Sequence, residues 1–387
     1  MTDPVYVFDL FAGAGGFSAG AASAGACVVA CLEHWDKGLA IHYANHPECV
    51  HIQTTLGGDV ESFVSEFRAL VAHLVPEGAV WHLHASPPCQ SFSIAQRQKQ
   101  PTKALDHAEA DDRSNLLTWA LEVIQALSPP RWSLEQVPTA LPYLRKHVPW
   151  LFVDDRVNIY PAVYGYEFGA PTMRKRLFLG QGWTFEGRTT AWGSKKRLRC
   201  EAETTLGLRQ TRPALCDRLV AQVNAASDER QYTHADLAIK TSANKWCTTK
   251  AERAAGLGPN KWVPCAEGQG LRPIDGRPIF AVIASYALCL YKKVDDAPIR
   301  HHKTYLDGTW VKVRALTPSE LAAINGMPTD YQLDGLGEVV PLRYAASMAD
   351  VLADVELASA SVRVTNADKV RGVGNGVVSS IARALFA

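Results

Sequence analysis

The sequence lacks the cysteine patterns that mark metal-cluster or disulfide-stabilised proteins. No two of its nine cysteines are separated by just two residues, and the total is odd. Cys27 and Cys31 are the closest pair, and they lie in an apolar, strand-like run that suits neither a zinc site nor a disulfide framework. We therefore expect free thiols in a reducing compartment and no bound metal.

Segments that would direct the chain to a membrane or out of the cell are also missing. The longest apolar run, residues 280–291, is shorter than the roughly 20 residues that a membrane-spanning helix needs. Residues 1–5 contain no basic segment followed by a hydrophobic core, as a secretion signal would. There are no internal repeats or low-complexity tracts. These absences predict a cytoplasmic globular protein with no membrane partner.

Charge is distributed unevenly along the 387 residues, which are many for one hydrophobic core and predict two lobes. Residues 181–313 hold 21 Lys and Arg against 13 Asp and Glu, a net charge of +8. The whole chain has a net charge of only +1, so the rest carries −7. A basic segment in an acidic chain indicates a lobe that binds a polyanion, beside a body with another role.

A strand, a glycine turn and a helix are predicted at the start of the chain. Residues 5–11 form a β-rich apolar run, and residues 18–26 are small enough for a helix packed closely on a sheet. Between them lie Gly13, Gly15 and Gly16. This arrangement brings backbone N–H groups against a nucleotide-like ligand, although the spacing differs from the strict dinucleotide pattern.

Two acidic residues follow the turn at positions that favour a nucleoside pocket. The second predicted strand, residues 27–32, ends at Glu33, where an acid would accept the ribose hydroxyls. Trp35 offers an aromatic face for an adenine. Asp59 is expected near the end of a third strand, where it could accept from an exocyclic amine. Each carboxylate could instead be a solvated loop residue.

Cys89 is the candidate nucleophile. Residues 79–83 predict a short buried strand, and Pro87 and Pro88 end it because neither can donate a backbone hydrogen bond. Cys89 then follows at the carboxyl end of the strand, where open α/β sheets bind their ligands. The alternative is a small buried thiol with a packing role. The polar residues 91–112 that follow predict a lid with basic side chains, including Arg97.

Further candidates lie after later strands. Residues 115–127 have a helical pattern, and the next predicted strand ends in Glu135, at the same sheet edge as Cys89. A turn at residues 169–173 then leads into a strand that carries Arg174 and Arg176 on one face.

In this order, the segments resemble the motifs of the cytosine-C5 DNA methyltransferase family. Residues 8–17 are similar to the motif that binds S-adenosylmethionine, residues 33–36 to the second motif and residues 58–60 to the third. Residues 87–93 are similar to the fourth motif, which holds the nucleophile.

The later motifs show three departures. Residues 134–137 resemble the Glu-Asn-Val motif with Gln136 in the place of Asn, and residues 171–176 resemble Gln-x-Arg-x-Arg with Thr172 in the place of Gln. Residues 314–328 are similar to the ninth motif, and residues 374–377 to the tenth, with Gly376 in the place of Ser. The resemblance covers residues 1–180 and about 314–387.

The resemblance implies a Rossmann-like, doubly wound, mostly parallel α/β sheet of the class I methyltransferase type, with a smaller target-recognition domain. Residues 1–180 would form the catalytic and cofactor-binding domain, 181–313 the target-recognition domain, and 314–387 the return to the catalytic domain. The transferase would methylate C5 of a flipped-out cytosine in DNA through a covalent bond between Cys89 and C6. The sequence does not identify the base that removes the C5 proton.

The same resemblance implies roles for individual residues. Glu135 would hydrogen-bond N3 and the exocyclic amine as general acid. Arg176 would hold O2, and Arg174 a phosphate or Glu135, although these two roles could be exchanged. The implied cofactor is S-adenosylmethionine, and its expected contacts are Phe11, Ala12, Gly13, Gly15, Gly16, Glu33, His34, Trp35, Asp59, Val60, Pro88, Asn375 and Val377. The expected nucleic-acid contacts are Gln90, Ser93, Arg97, Lys196, Arg197 and Lys245.

The expected partner is double-stranded DNA, bound by a monomer in the nucleoid of a bacterial or phage-infected cell. A cognate restriction endonuclease is a candidate partner, as in restriction-modification pairs. Three alternatives stay open: a transfer-RNA cytosine-C5 methyltransferase, a methyltransferase-like protein that binds nucleic acid without catalysis, and a dinucleotide-dependent oxidoreductase. The family's RNA branch carries a Cys-Phe-Thr tripeptide that this sequence lacks, and an oxidoreductase would leave Pro-Pro-Cys and Arg-x-Arg without a role.

Overall fold

A seven-stranded, mostly parallel sheet forms the centre of the molecule, in the order β3-β2-β1-β4-β5-β7-β6. The computed structural model describes residues 3–89, 92, 112–172, 174–185, 212–227, 231–233, 236–241, 272–273, 288–295 and 309–386. Strands β1 to β5 are parallel, β7 is antiparallel to β5, and β6 is antiparallel to β7. The strands are β1 (Tyr6–Leu10), β2 (Cys27–Glu33), β3 (Val50–Gln53), β4 (Trp81–Ala85), β5 (Arg131–Gln136), β6 (Asn158–Tyr164) and β7 (Lys175–Gln181).

Helices cover both faces of the sheet, which confirms the expected α/β fold. In β1, Phe8 and Leu10 join one hydrophobic cluster, whereas Val7 joins another, because successive side chains of a strand point to opposite faces. This double burial explains why the parallel strands read as continuous apolar runs. The helices of the described ranges are α1 (Gly16–Ser23), α2 (Asp36–Asn45), α3 (Val60–Leu74), α4 (Asp112–Leu127), α5 (Leu141–His147), α6 (Arg212–Ala225), α7 (Pro318–Ile324), α8 (Met348–Leu352), α9 (Asn366–Asn375) and α10 (Ser379–Ala384).

Four parallel strands end at the same level. Leu10 pairs with Leu32 on one side and with Ala85 on the other, and Ala85 pairs with Leu134. The residues that directly follow these four therefore emerge along one edge of the sheet. This register brings the glycine turn, Glu33, the Cys89 loop and Glu135 to a common edge.

The third strand differs from the expectation, since it ends at Gln53 and well before Asp59. Gly57 and Gly58 have positive φ values of 130° and 83°, a backbone conformation that glycine adopts at little cost and that interrupts a strand. Asp59 instead caps α3, where its carboxylate accepts a hydrogen bond from the Ser62 backbone N–H at 2.8 Å.

A second, antiparallel sheet lies in the chain region expected to recognise the target. Its order is β11-β10-β8-β9. Its strands are β8 (Leu237–Thr241), β9 (Arg272–Pro273), β10 (Leu288–Asp295) and β11 (Thr309–Ala315), so β11 continues past the expected boundary at residue 313. A two-stranded sheet of β12 (Val339–Tyr344) and β13 (Ala358–Arg363) follows.

The last helix returns to the first. The Ser379 hydroxyl donates a hydrogen bond to the carbonyl oxygen of Gly16 at 2.7 Å. A Cβ atom at Gly16 would lie 2.6 Å from the backbone oxygen of Val377, and one at Gly20 would lie 2.6 Å from Cβ of Ala382. Glycine at these two positions therefore lets α1 and α10 approach at backbone distance. Among the helices of the described ranges, none has the length and apolar character needed to cross a bilayer.

Candidate active site

The loop that carries Cys89 is fastened to the glycine turn. The Ser86 backbone N–H donates to the carbonyl oxygen of Leu10, and its hydroxyl donates to that of Phe11, both at 3.2 Å. The Cys89 thiol is free and half-buried. Phe92 closes a turn back on Cys89, with its N–H 3.1 Å from the Cys89 carbonyl oxygen. The thiol is therefore held at the common strand edge and remains accessible.

Gln136, one of the three departures, connects the Cys89 loop to β5. Its side-chain amide donates to the carbonyl oxygen of Pro87 at 3.2 Å and accepts from the Val137 N–H at 2.8 Å. The side chain is completely buried. Gln136 thus fixes the spacing between the segment that holds Cys89 and the strand that holds Glu135.

The carboxylate of Glu135 contacts Arg176, and not Arg174. The Arg176 Nε atom lies 2.6 Å from Glu135 Oε1. The guanidinium also donates through Nη1 to the carbonyl oxygen of Lys175 at 2.8 Å. A carboxylate and a guanidinium held this close, at the strand edge beside Cys89, can act together on one polar substrate.

Arg174 is buried and binds a distant segment of the chain. It donates through Nη1 to the carbonyl oxygen of Gly374 at 2.8 Å and through Nη2 to that of Asn375 at 3.4 Å. The pKa of Arg174 is lowered to about 9, mainly by burial and secondly by the nearby charge of Arg176. Glu135 and Cys89 act in the opposite direction and raise it. The guanidinium therefore stays charged at neutral pH and lies within electrostatic reach of both Glu135 and Cys89.

Glu33 shapes the glycine turn. Its carboxylate accepts the backbone N–H groups of Gly13 at 2.8 Å and of His34 and Trp35, each at 2.9 Å. Burial raises the pKa of Glu33, but the His34 side chain and these N–H groups outweigh it, so the pKa lies below its ordinary value. Glu33 is thus an ionised acceptor. Of these three donors, only the Gly13 N–H binds Oε2, so this oxygen can accept a further hydrogen bond from a ribose hydroxyl.

The backbone beside Glu33 leaves space for a ligand. No atom lies within 4 Å of a Cβ built on Gly13, whose φ is +54°. Phe11 has a φ of 60°, a strained value for a non-glycine residue, and its N–H is held by the carbonyl oxygen of Leu32 at 3.0 Å. An open glycine beside an ionised acceptor fits the ribose and methionine portions of S-adenosylmethionine.

Trp35 has a partner that the sequence did not reveal. The Arg371 guanidinium lies over its ring, 4.7 Å from the centroid. A Cβ at Gly38 would clash with the same ring, so the indole lies closely on α2. No spacing rule relates Arg371 to Trp35, because α9 approaches α2 only in the folded chain.

The remaining residues expected at the cofactor differ in their exposure. Ala12, Gly15, Gly16 and Val377 are buried, Phe11, Val60 and Pro88 are half-buried, and His34, Asp59 and Asn375 are exposed. The Asp59 cap uses Oδ2, so Oδ1 can accept from a ligand. The expected nucleic-acid contacts Gln90, Ser93, Arg97, Lys196, Arg197 and Lys245 lie outside the described residues, as does most of the expected lid.

Comparison with known proteins gives relatives for part of the chain. Residues 5–151 match the family model of the C-5 cytosine-specific DNA methylases. The chain is 29% identical over 188 residues to Type II methyltransferase M.XorII of Xanthomonas oryzae pv. oryzae. This alignment covers 46% of this chain and 40% of M.XorII. The chain is 27% identical over 173 residues to Type II methyltransferase M.HgiDI of Herpetosiphon aurantiacus, covering 44% and 50%. The chain thus spans half or less of these two relatives.

Solved structures share the fold over nearly the whole chain. The methyltransferase EhMeth of Entamoeba histolytica aligns with a TM-score of 0.52 and 14% identity, covering 99% of this chain and 97% of that one. A putative DNA modification methyltransferase encoded within an Escherichia coli prophage aligns with a TM-score of 0.51 and 17% identity, with the same coverage. At these identities the likeness concerns the fold alone.

Proposed function

We propose that the chain, whose residues 5–151 match the family model of the C-5 cytosine-specific DNA methylases, transfers a methyl group from S-adenosylmethionine to C5 of a cytosine in DNA. The observation that carries this proposal is the meeting of Cys89, the Glu135–Arg176 pair and the glycine turn at one strand edge. A nucleophile, a proton donor and a cofactor pocket are three of the components that the reaction needs.

Cys89 activates the cytosine in the first step. Its thiolate forms a bond to C6, and the ring electron pair moves to C5 while Glu135 delivers a proton to N3. The guanidinium of Arg174 lies within electrostatic reach of Cys89. C5 of the resulting enamine is then a competent nucleophile.

When bound, S-adenosylmethionine would supply a methyl group on a positively charged sulfur for transfer to C5. A base then takes the C5 proton, N3 returns its proton to Glu135, the C5–C6 double bond re-forms, and Cys89 leaves as a thiolate. Glu33 and the glycine turn would hold the methyl donor. Arg176 fixes the Glu135 carboxyl group and holds O2 of the base.

A stacked cytosine cannot reach this edge, so we propose that the base flips out of the duplex. The basic residues 181–313 would form the domain that selects the target. We further propose a monomer on DNA, paired with an endonuclease of the same specificity, because both relatives above are Type II methyltransferases.

The decisive experiment compares Cys89→Ser with wild type in transfer of a tritiated methyl group to duplex DNA. We expect Cys89→Ser to lose methyl transfer and to keep cofactor binding, measured by calorimetry. Cys27→Ser is the matched control, since this exposed thiol lies on β2, away from the strand edge. Full turnover by Cys89→Ser would refute the mechanism.

The covalent step has its own test. A duplex with 5-fluorocytosine at the target position carries no C5 proton to remove, so the adduct to Cys89 should accumulate and survive denaturation. Wild type should form this adduct in the presence of S-adenosylmethionine, and Cys89→Ser should not.

The substrate is tested by parallel assays on duplex DNA and transfer RNA, followed by bisulfite sequencing of a methylated random DNA library. Methylated cytosines in one sequence context would support the proposal and give the specificity. Transfer to RNA alone would favour the transfer-RNA enzyme. Binding without any transfer would favour the non-catalytic reading.

A further inference from the structure

Four side chains of the types that bind metal ions lie close together, and the proposed reaction uses none of them. They are Cys31, His42, Cys49 and His51, and all four are buried. Their ligand atoms all lie within 4.8 Å of one another.

The fold brings them together from separate elements. Cys31 on β2 is the direct pairing partner of His51 on β3. Cys49 precedes β3, and His42 lies on α2, which packs over these strands. Cys31 and Cys49 are too far apart in the sequence to form a close cysteine pair, which is why the sequence predicted no metal.

The distances lie close to those of tetrahedral coordination. The Cys31 sulfur lies 3.7 Å from Nδ1 of His42, which in turn lies 2.9 Å from Nε2 of His51. Ligand atoms around a tetrahedral Zn²⁺ are separated by about 3.3 to 3.8 Å, as follows from bond lengths of about 2.0 to 2.3 Å. The sulfur–nitrogen distance fits this range, and a small rotation that separates the two histidine nitrogens by about 0.4 Å would bring their distance into it.

A hydrogen bond on the outer side leaves Nδ1 of His42 free to coordinate. The Ser18 hydroxyl donates to Asp9 at 2.7 Å, so it accepts from Nε2 of His42 at 2.9 Å. This assigns a lone pair to Nδ1 of His42, the nitrogen that faces Cys31 and His51.

Nδ1 of His42 faces Nε2 of His51 at 2.9 Å, so a cation placed between the two rings would be within reach of both nitrogens. A divalent metal would bind both nitrogens and two thiolates, so the buried site would be neutral overall.

We propose that Cys31, His42, Cys49 and His51 form a structural Zn²⁺ site. All four ligands come from the protein and none is exposed, so no coordination position is left for a substrate, as in structural rather than catalytic zinc sites. The ion joins β2, α2 and β3 directly beside Glu33 and Trp35, and it stabilises the adenosine side of the cofactor edge. The proposal does not depend on the reaction at Cys89.

Metal analysis of the wild-type protein, purified under reducing conditions without chelator, tests the site. We expect about one zinc ion per chain. After removal of the zinc, Co²⁺ alone should give the thiolate charge-transfer band and the intense d–d bands of tetrahedral coordination. Chelation should lower the Tm, and Zn²⁺ should restore it.

Variants locate the site. Cys49→Ser and His51→Asn should lose the metal, and Ser18→Ala should bind it about 10- to 100-fold more weakly, because Ser18 orients a ligand. Cys27→Ser is the control on the same strand and should retain the metal. If a ligand variant does not fold, the wild-type Co²⁺ spectrum and the chelator-dependent Tm decide.

Three results would overturn the proposal. They are wild-type protein without stoichiometric zinc and without a tetrahedral Co²⁺ spectrum, ligand variants that fold and keep the metal, and a Cys31–Cys49 disulfide in the reduced preparation, detected by mass spectrometry.

Discussion

Arg176 and Glu135 form a close ion pair, with Nε and Oε1 2.6 Å apart and side chains only 13% and 8% exposed. The pair joins β7 to β5 next to the Cys89 loop. A carboxyl group fixed in this way presents its other oxygen in one direction, which suits a proton donor better than a mobile side chain would.

Arg176→Ala should lower kcat for methyl transfer by about 10² to 10³, as expected when one preorganised donor is lost. The Kd for S-adenosylmethionine should stay close to wild type. Arg156→Ala is the matched control, because Arg156 forms a similar pair with Asp154 at an exposed position. A kcat within a few-fold of wild type would contradict the role of the pair.

Arg174→Ala should act on stability as well as on activity. It removes two charge-assisted hydrogen bonds to the carbonyl oxygens of Gly374 and Asn375, at a cost of about 2 to 3 kcal/mol in the free energy of unfolding. Denaturant titration should therefore distinguish it from Arg176→Ala, whose Tm should change less. Equal stability of the two variants would argue against a tie between these segments.

Gly16→Ala should reduce both stability and cofactor affinity. The added Cβ would lie 2.6 Å from the backbone oxygen and 3.0 Å from the backbone nitrogen of Val377, so backbone must move, at a cost of about 1 to 3 kcal/mol. Thermal unfolding and calorimetric titration measure the two effects. Gly335→Ala is the control, since nothing lies within 4 Å of its Cβ position, and it should leave both values unchanged.

Acid should destabilise the protein through His82 and His84. Both rings are buried and share the Ser133 hydroxyl, at 2.7 and 2.8 Å. Burial lowers both pKa values, so the unfolded chain takes up protons near pH 6.5 while the folded chain does not. The free energy of unfolding should thus fall as the pH drops below about 6.5, by about 1.4 kcal/mol per pH unit for each ring.

Denaturant titrations between pH 7 and pH 5 measure this slope. His84→Asn should show a smaller slope than wild type, because one titrating ring is removed. A flat profile for the wild type would contradict the assignment.

The sequence predicted the strand edge well because chemistry and local pattern coincide there. Cys89 follows two prolines after an apolar run, and Glu135 lies near the end of another, so both positions can be read from neighbours in the chain. The α/β fold was implied by the resemblance of these segments to the methyltransferase motifs. The later position of Asp59, beyond two left-handed glycines, needed backbone angles that a pattern does not contain.

Contacts between distant segments could not be predicted. Arg371 over Trp35 and Arg174 on Gly374 arise from the packing of the chain's end on its beginning. Cys31 lies beside His51 because of the register between β2 and β3. The apolar pattern of each strand does not determine which residues of the two strands face each other. These contacts are set by tertiary structure, and local sequence carries little trace of them.

The packing of α10 on α1 has a consequence for synthesis. Ser379 and Gly16 are 363 positions apart, so a ribosome that adds about 5 to 20 residues per second needs about 20 to 70 s to supply the partner of the first helix. During that interval the small-residue face of α1 is exposed on the nascent chain. Chaperones that bind during translation would therefore bind at α1. The cofactor pocket would be completed only after α10 has left the exit tunnel.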